Sequence, residues 1–233
     1  MKNVITTDFH AHVLPGADHG SDGLEMSLNQ LSLIASHGIK RVVATPHFYP
    51  MRDNVDLFIE RRTDSAGELK RSMTPGLPAV MIGAEVLVCE GMERMEGLDR
   101  LTVYGTDCIL LEMPTVKWTD GIMDTVWEIS KSGLVPVMAH IDRYDPKYVE
   151  QLLALGVKAQ LNPNAFMGRK MRKQAEKWLE EGHIVALGSD LHRVNAKEYK
   201  AFIRATQSLG THGQEIEASM KDLLDGAKQI VAK

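Results

Sequence analysis

Asp8-Phe9-His10-Ala11-His12 closes the first apolar run of the chain. In a strand, alternate side chains share a face. His10 and His12 therefore project together, and both can reach a single metal ion. An HxH pair alone is a weak signal, since two strand histidines are more often ordinary polar residues than ligands. What gives the pair meaning is how many later strands also end in His, Glu or Asp.

Working outward, short apolar strands alternate with amphipathic helices. Val4 to His10 reads as the first strand, and Leu24 to His37 has helical apolar spacing that Gly38 ends. Lys40 to His47 is a second strand, Asn54 to Ser72 a polar helix, and Ala79 to Glu85 a third strand. Val86 to Thr106 is less regular, with a short strand expected around Leu101 to Val103. Cys108 to Pro114 and Leu134 to His140 are strands four and five, separated by a helix from Asp120 to Lys131. Helices over Lys147 to Leu155 and Met171 to Glu181 lead to the strands VKAQLN and HIVALGSD. Two C-terminal helices follow. In the last, Ile216, Met220, Leu223, Leu224, Ala227, Ile230 and Val231 form one apolar stripe. That stripe predicts a helix docked on the barrel wall, with a homo-oligomer interface as the alternative.

Seven such units with continuous apolar strands predict an α/β fold with a parallel sheet covered by helices. Closure into a barrel is the first expectation and an open doubly wound sheet the second. Residues 1–233 read as one domain, with no repeat or linker. In either architecture, function sits at the carboxyl ends of the strands.

Composition narrows the function. Charges of both signs are mixed and the net charge is −4, so no basic footprint argues for nucleic acid. No apolar run reaches membrane-spanning length, and the N-terminal segment turns polar too soon for a signal peptide. Cys89 and Cys108 are the two cysteines; without a CxxC they read as thiols of a reducing cytoplasm. Neither a GxGxxG nor a P-loop opens a helix, and no CxxxxxR or GxSxG offers a covalent nucleophile.

The strand ends carry the chemistry. Strand one ends with His10 and His12, and its loop adds Asp18, His19 and Asp22. Strands two to five end with His47, Glu85, Glu112 and His140. Strand seven ends with Asp190, then His192, while strand six ends in Asn162. Titratable groups at the ends of apolar strands are costly unless paired. In a barrel these ends converge on one cavity, and such a set of His and carboxylates is a multinuclear metal site. His37, His183 and His212 fall on helices or turns and read as surface or capping residues.

HAHVLPGADHG, VVATPHF, GAE, ILLEMP, AHIDRY and GSDLH, in this order, resemble the PHP (polymerase and histidinol phosphatase) superfamily. Within it, the opening motif, the ATPH strand and the length are most similar to the capsule-type bacterial manganese-dependent tyrosine-protein phosphatases. The resemblance implies a distorted (β/α)7 TIM-like barrel of PHP type holding three divalent metal ions, manganese first, with iron or zinc as alternatives. His10, His12, Glu85 and Asp190 would hold the first ion. His19, His47 and His192 would hold the second. Glu112 and His140 would hold the third, with Glu85 bridging it to the first. One departure stands out: the capsule-type branch usually has Asp where this chain has His19, and imidazole suits zinc or iron better than manganese.

The resulting expectation is a metal-dependent phosphomonoesterase using metal-activated hydroxide. Arg143, three residues past His140, is placed to clamp a phosphate with a two-pronged hydrogen bond. Arg193 or Lys197 supplies a second phosphate contact, and Asn162 either binds substrate or caps its turn. Phe48 and Tyr49 either wall an aromatic slot or pack. Arg169, Lys170, Arg172 and Lys173 form a solvated helix face. The expected substrate is a phosphotyrosyl protein, such as the Tyr-rich tail of a capsule-assembly tyrosine kinase. A small phosphomonoester of the histidinol-phosphate kind is the nearest rival. A phosphodiesterase of the exonuclease type is disfavoured by the acidic charge. A catalytically inactive, metal-stabilised interaction module is the alternative of another class.

Overall fold

A computed structural model describes residues 4–231. Its strands are β1 Thr7–Ala11, β2 Arg41–Ala44, β3 His47–Phe48, β4 Ala79–Ile82, β5 Glu85–Leu87, β6 Cys108–Glu112, β7 Val135–Met138, β8 Lys158–Leu161, β9 Ile184–Leu187 and β10 Gln229–Ile230. Its helices are α1 Leu24–Ser36, α2 Val55–Ser72, α3 Asp120–Lys131, α4 Pro146–Ala154, α5 Arg169–Glu180, α6 Ala196–Ser208 and α7 His212–Leu223.

β2 and β3 are two pieces of one stave, broken at Thr45-Pro46, where proline cannot donate to a ladder. β4 and β5 are likewise one stave, broken at Gly83-Ala84. β1, β2 and β4 pair in parallel, and so do β3, β5, β6, β7, β8 and β9. The two sheets join into a ring through a parallel bridge between Ala11 and Leu191. There the amide of Asp190 donates to the His10 carbonyl at 2.8 Å, and that of His12 to the Leu191 carbonyl at 3.0 Å. The seven-staved barrel expected from the sequence is the observed architecture. Its distortion is local: register shifts fall in β1 between Asp8 and Ala11 and in the β8–β9 pair. Such irregularities bend strands and re-aim side chains beside sites.

The helices form where capping and periodicity agree. Thr119 accepts from the Ile122 amide and opens α3, whose Ile122, Val126 and Ile129 turn inward at i, i+4 and i+7. Full burial of each such side chain contributes roughly 1.5–3 kcal/mol. Asn54, Asp145 and Asn195 cap α2, α4 and α6 in the same way. Among the described residues no helix is long and apolar enough to cross a membrane.

Two expected elements differ. Leu101 to Val103 is not a strand; Leu98–Leu101 is a 3-10 turn, and Val103 closes a tight turn by donating to the Cys108 carbonyl at 2.8 Å. The last helix does not reach Val231. It ends at Leu223, and β10 then pairs antiparallel with β4, Ile230 opposite Val80. Gly226, with φ at +80°, makes that turn, and its carbonyl approaches Gly105 too closely for any Cβ there. Apolar spacing cannot distinguish the two outcomes, because Ala227 and Ile230 satisfy a helix and a half-buried strand alike.

The closure constrains Gly188, just past β9. A Cβ there would lie 2.4 Å from that of His10 and 2.8 Å from Gln160 Nε2. Gly188→Ala must therefore push β9 away from β1. It should lower stability by about 1–3 kcal/mol by denaturant unfolding; an unchanged midpoint would show that the two strands are not in contact as described.

Candidate metal centre

β1 delivers the first ligands. His10 and His12 are both buried, with their Nε2 atoms 3.2 Å apart. Glu85, the first residue of β5, is 1% exposed and lies opposite His47 in the β3–β5 register. Its Oε2 is 3.2 Å from His10 Nε2, 3.3 Å from His12 Nε2 and 3.1 Å from His47 Nδ1. Its Oε1 is 2.7 Å from His140 Nε2. Asp190 Oδ1 lies 3.5 Å from His10 Nε2 and 3.3 Å from His12 Nε2. His140 and Asp190 have left-handed backbones, with φ of 33° and 56°, and they are the non-glycine residues so strained among the described residues. Such strain clusters at functional sites.

Three groups of donor atoms are close enough to hold a cation: His10, His12, Glu85 and Asp190; His12, His47 and His192; His47, Glu85 and Glu112. The first is the set that the resemblance implies. His19 is not among the donors of the second group; its ring lies parallel to that of His47 at a centroid distance of 4.6 Å. In the third, His47 takes the place expected of His140, which instead holds the other oxygen of Glu85. All nine expected ligands converge on one end of the barrel.

The residues fit a bound cation. Glu85 Oε2 and His47 Nδ1 are buried without any hydrogen-bond partner. His10 and His12, and likewise His47 and His192 at 3.4 Å, point ring nitrogens at each other. Two donors about 2.1 Å from a common ion stand about 3.0–3.4 Å apart. Imidazole nitrogen with carboxylate oxygen suits a divalent transition ion.

A second layer orients these ligands. Asp18 Oδ2 accepts from His12 Nδ1 at 2.6 Å and from the His47 amide at 3.0 Å, and its Oδ1 accepts from the Gly20 amide at 2.8 Å. His192 Nδ1 donates to the Asp190 carbonyl at 3.0 Å. Both histidines are thereby fixed with Nε2 free, the tautomer a metal requires. Gln160 Oε1 accepts from the His140 amide at 2.7 Å and lies 3.4 Å from His10 Nδ1. The Tyr144 hydroxyl meets His140 Nδ1 at 3.1 Å. The sequence reading passed over Gln160 and Tyr144 and gave Asp18 no role. An amide inside the apolar strand Lys158–Leu161 was the available signal for Gln160.

Over the centre lies a cavity of about 760 Å³, walled by His19, His47, Tyr49, Arg143, Asn162 and Lys197 among others. A larger one, about 1000 Å³, opens near Cys108, Val135 and Lys158 at the amino ends of the strands and holds none of the ligands. Arg143 pairs with Asp190 at the cavity wall. Asn162 does not cap its turn; its Nδ2 donates to Asp190 Oδ2 at 3.2 Å. Arg193 is turned away, paired with Asp22 at 2.8 Å, so Lys197 is the second cation on the wall. Phe48 is buried against Phe58, whereas Tyr49 stacks on His47 and faces the cavity. Arg169, Lys170, Arg172 and Lys173 are exposed, as a solvated face requires.

The family model for capsular polysaccharide synthesis proteins, CpsB/CapC, matches residues 6–227. The tyrosine-protein phosphatase CpsB of Streptococcus pneumoniae is 25% identical over 205 residues, covering 82% of this chain and 84% of its own. The tyrosine-protein phosphatase CpsB of Streptococcus agalactiae is 22% identical over the same span, with the same coverage. A solved structure matches with a TM-score of 0.73 at 19% identity and covers 95% of both chains. It comes from work on YwqE of Bacillus subtilis and CpsB of S. pneumoniae, described as unique metal-dependent tyrosine phosphatases.

Electrostatics describe the cluster before it meets a cation. Burial alone would raise Glu85 and Asp190, but the facing His10 and His12 hold both well below the ordinary carboxylate range. Burial would lower His10 and His12, yet Glu85, Asp190 and, for His12, Asp18 raise both. Burial and His12 push His192 down to about 4. Burial lifts Asp8 to about 6. By about one pH unit above the unfolded histidine value of about 6.5, His192 and Asp8 have finished titrating in both states. His10 and His12 have not: their stabilisation is complete below that value and is lost as pH rises through their raised folded values. The Glu85 and Asp190 contribution is lost only as pH falls below the ordinary carboxylate range. Metal-stripped protein should thus melt at progressively lower temperature as pH rises above about 7.5, through the raised values of His10 and His12. Saturating divalent metal should remove that slope; a flat profile for the stripped protein would contradict the charge assignment.

Proposed function

The chain belongs to the CpsB/CapC family of capsular polysaccharide synthesis proteins, and from that premise we propose that it is a metal-dependent phosphatase of phosphotyrosyl protein. The observation that carries the reading is Glu85: one buried carboxylate met by imidazole nitrogens of His10, His12, His47 and His140, none farther than 3.3 Å. A structural carboxylate would be satisfied by one or two hydrogen-bond donors, whereas four converging imidazoles around one carboxylate are the donor set of a bridged metal site. His10, His12, Glu85 and Asp190 would hold a first ion, His19, His47 and His192 a second, and Glu85, Glu112 and His140 a third, with His47 close enough to serve it too. Manganese, iron and zinc all suit such donors.

Bound ions supply Lewis acidity towards the phosphoryl oxygens and make a water acidic enough to attack near neutral pH. The chain's own residues do the rest. Arg143 is held by Asp190 with its guanidinium at the cavity wall, where it can grip two phosphoryl oxygens and fix the phosphorus for in-line attack. Lys197 adds a second positive charge on the opposite chain segment. Asn162 and Arg143 together hold Asp190 at a fixed angle. Tyr49 offers an aromatic wall for a phenyl ester. Its hydroxyl is pushed up to about 12 by burial and by Glu112, Glu85 and Asp18, so it stays neutral. A phenolate leaves with a pKa of about 10 and needs little proton help.

A cysteine route is poorly supported by comparison. Burial pushes Cys108 up to about 12, and it lies at the amino end of β6, away from the centre. Cys89 is raised by burial and by Glu93. Both thiols are free. The family's link to capsular polysaccharide synthesis and the relatives' naming as tyrosine-protein phosphatases support a phosphotyrosyl protein of that process as substrate; within that class, the tail of a capsule-assembly tyrosine kinase is the substrate proposed.

The reading is tested by stripping metal, restoring Mn, Zn or Fe, and following a phosphotyrosyl peptide, histidinol phosphate and a phosphodiester side by side. The peptide should be the preferred substrate, and turnover should vanish on stripping and return on restoration. Glu85→Gln should lower kcat by a factor on the order of 10³ or more while the circular dichroism spectrum is kept. Equal rates before and after stripping would defeat the metal; turnover confined to histidinol phosphate would defeat the substrate.

A further inference from the structure

The three donor groups are not chemically alike. Two contain Glu85, joined in one by Asp190 and in the other by Glu112. The third is His12, His47 and His192, with no carboxylate. Hydrogen bonding already commits these imidazoles. His12 Nδ1 is tied to Asp18 and His192 Nδ1 to the Asp190 carbonyl, so each has only Nε2 to offer. His47 Nε2 faces His192 Nε2 at 3.4 Å.

His12 Nε2 also stands 3.3 Å from both Glu85 Oε2 and Asp190 Oδ1, so an ion bound there can claim it. The donor that would then complete the other position is again an imidazole. His19 is exposed at the rim, with its ring centroid 4.6 Å from that of His47 and 4.9 Å from that of His192. The nearest acid of the same loop, Asp18, is spent on His12 and on the Gly20 and His47 amides. Whichever group takes His12, this position presents neutral nitrogen alone.

Resting on the metal-dependent reading above, we propose that the centre sorts its ions: the position at His47 and His192 selects a borderline ion of the zinc or ferrous type, while the two Glu85 positions accept manganese. The physical ground is donor chemistry. Manganese is held best by anionic oxygen, and it stands at the weak end of the affinity order for nitrogen sites. An all-imidazole position therefore loses more affinity for manganese than for zinc relative to its carboxylate-bearing neighbours. His19 sets this difference, and its exposure leaves that one side chain free to be changed while its buried neighbours Gly20 and Ser21 stay in place.

The test uses metal-free full-length protein loaded with manganese and then titrated with zinc, with bound metals counted by mass spectrometry after desalting. One equivalent of zinc should displace manganese with a preference about tenfold or more above the next two. Crystals grown with both metals should show zinc-edge anomalous density beside His47 and His192, and manganese-edge density beside Glu112 and Asp190. His19→Asp supplies an oxygen donor and should shrink the first preference to within about threefold of the others. Zinc entering all positions with one affinity, or first beside Glu112 or Asp190, overturns the sorting even when the phosphatase reading stands. Binding of neither metal in stoichiometric amount overturns both.

Discussion

The interaction on which the molecule depends is the burial of Glu85 against imidazoles. A carboxylate taken out of water is tolerated only with partners that return most of its lost hydration. Here the partners come from β1, from β3 and from the turn after β7. No two of these segments are adjacent in sequence, yet all must arrive together. Without a cation, the cluster holds itself together by protonating its histidines, which makes the metal-free fold sensitive to pH. With cations, the same atoms need no such protons. On the proposed reading, folding and metal loading would be linked, and the barrel's carboxyl end would gain stability on loading.

That linkage explains where the barrel is distorted. The ring is welded between β1 and β9 by backbone bonds around Asp190 and Leu191, next to His10 and His12. Register shifts fall in β1 and beside β9. Gly188 lets the two strands approach to a distance no side chain permits. Asp190 and His140 accept left-handed backbones that aim their side chains into the centre. Regular pleating would serve the ladder better. The geometry sacrifices it at the points where ligands must be aimed, and leaves β6 and β7, farther from the weld, in plain parallel register.

Much of this was legible in the sequence because the expected ligands obey simple periodicities. His10 and His12 share a face, and His47, Glu85, Glu112, His140 and Asp190 each end an apolar run. In a parallel barrel all such ends meet. The orienting layer was less legible. Asp18, Gln160 and Tyr144 act through contacts that span the ring, and nothing in their local spacing says which ligand each will meet. Arg193 was misdirected for a related reason: proximity in sequence to Asp190 and His192 does not fix the side chain's direction, and Asp22 on the facing loop captures it. The terminal apolar stripe is ambiguous between helix and strand until Gly226 turns the chain.

The same reasoning bears on why a metal serves this fold where a thiol does not. A reactive thiolate needs a positively charged, partly exposed setting. The strand ends here gather carboxylates, which disfavour a thiolate as strongly as they favour a cation. Cys89 follows β5 on the same stave as Glu85, and Glu93 with burial keeps its proton on. Burial alone does the same at Cys108, so neither thiol is poised as a nucleophile. Arg143 then sits at the edge of this acidic field, anchored by Asp190 and still half-exposed. Its guanidinium and the expected ligands His19, His47, Glu112, Asp190 and His192 line the same cavity, so cation and carboxylates face one space.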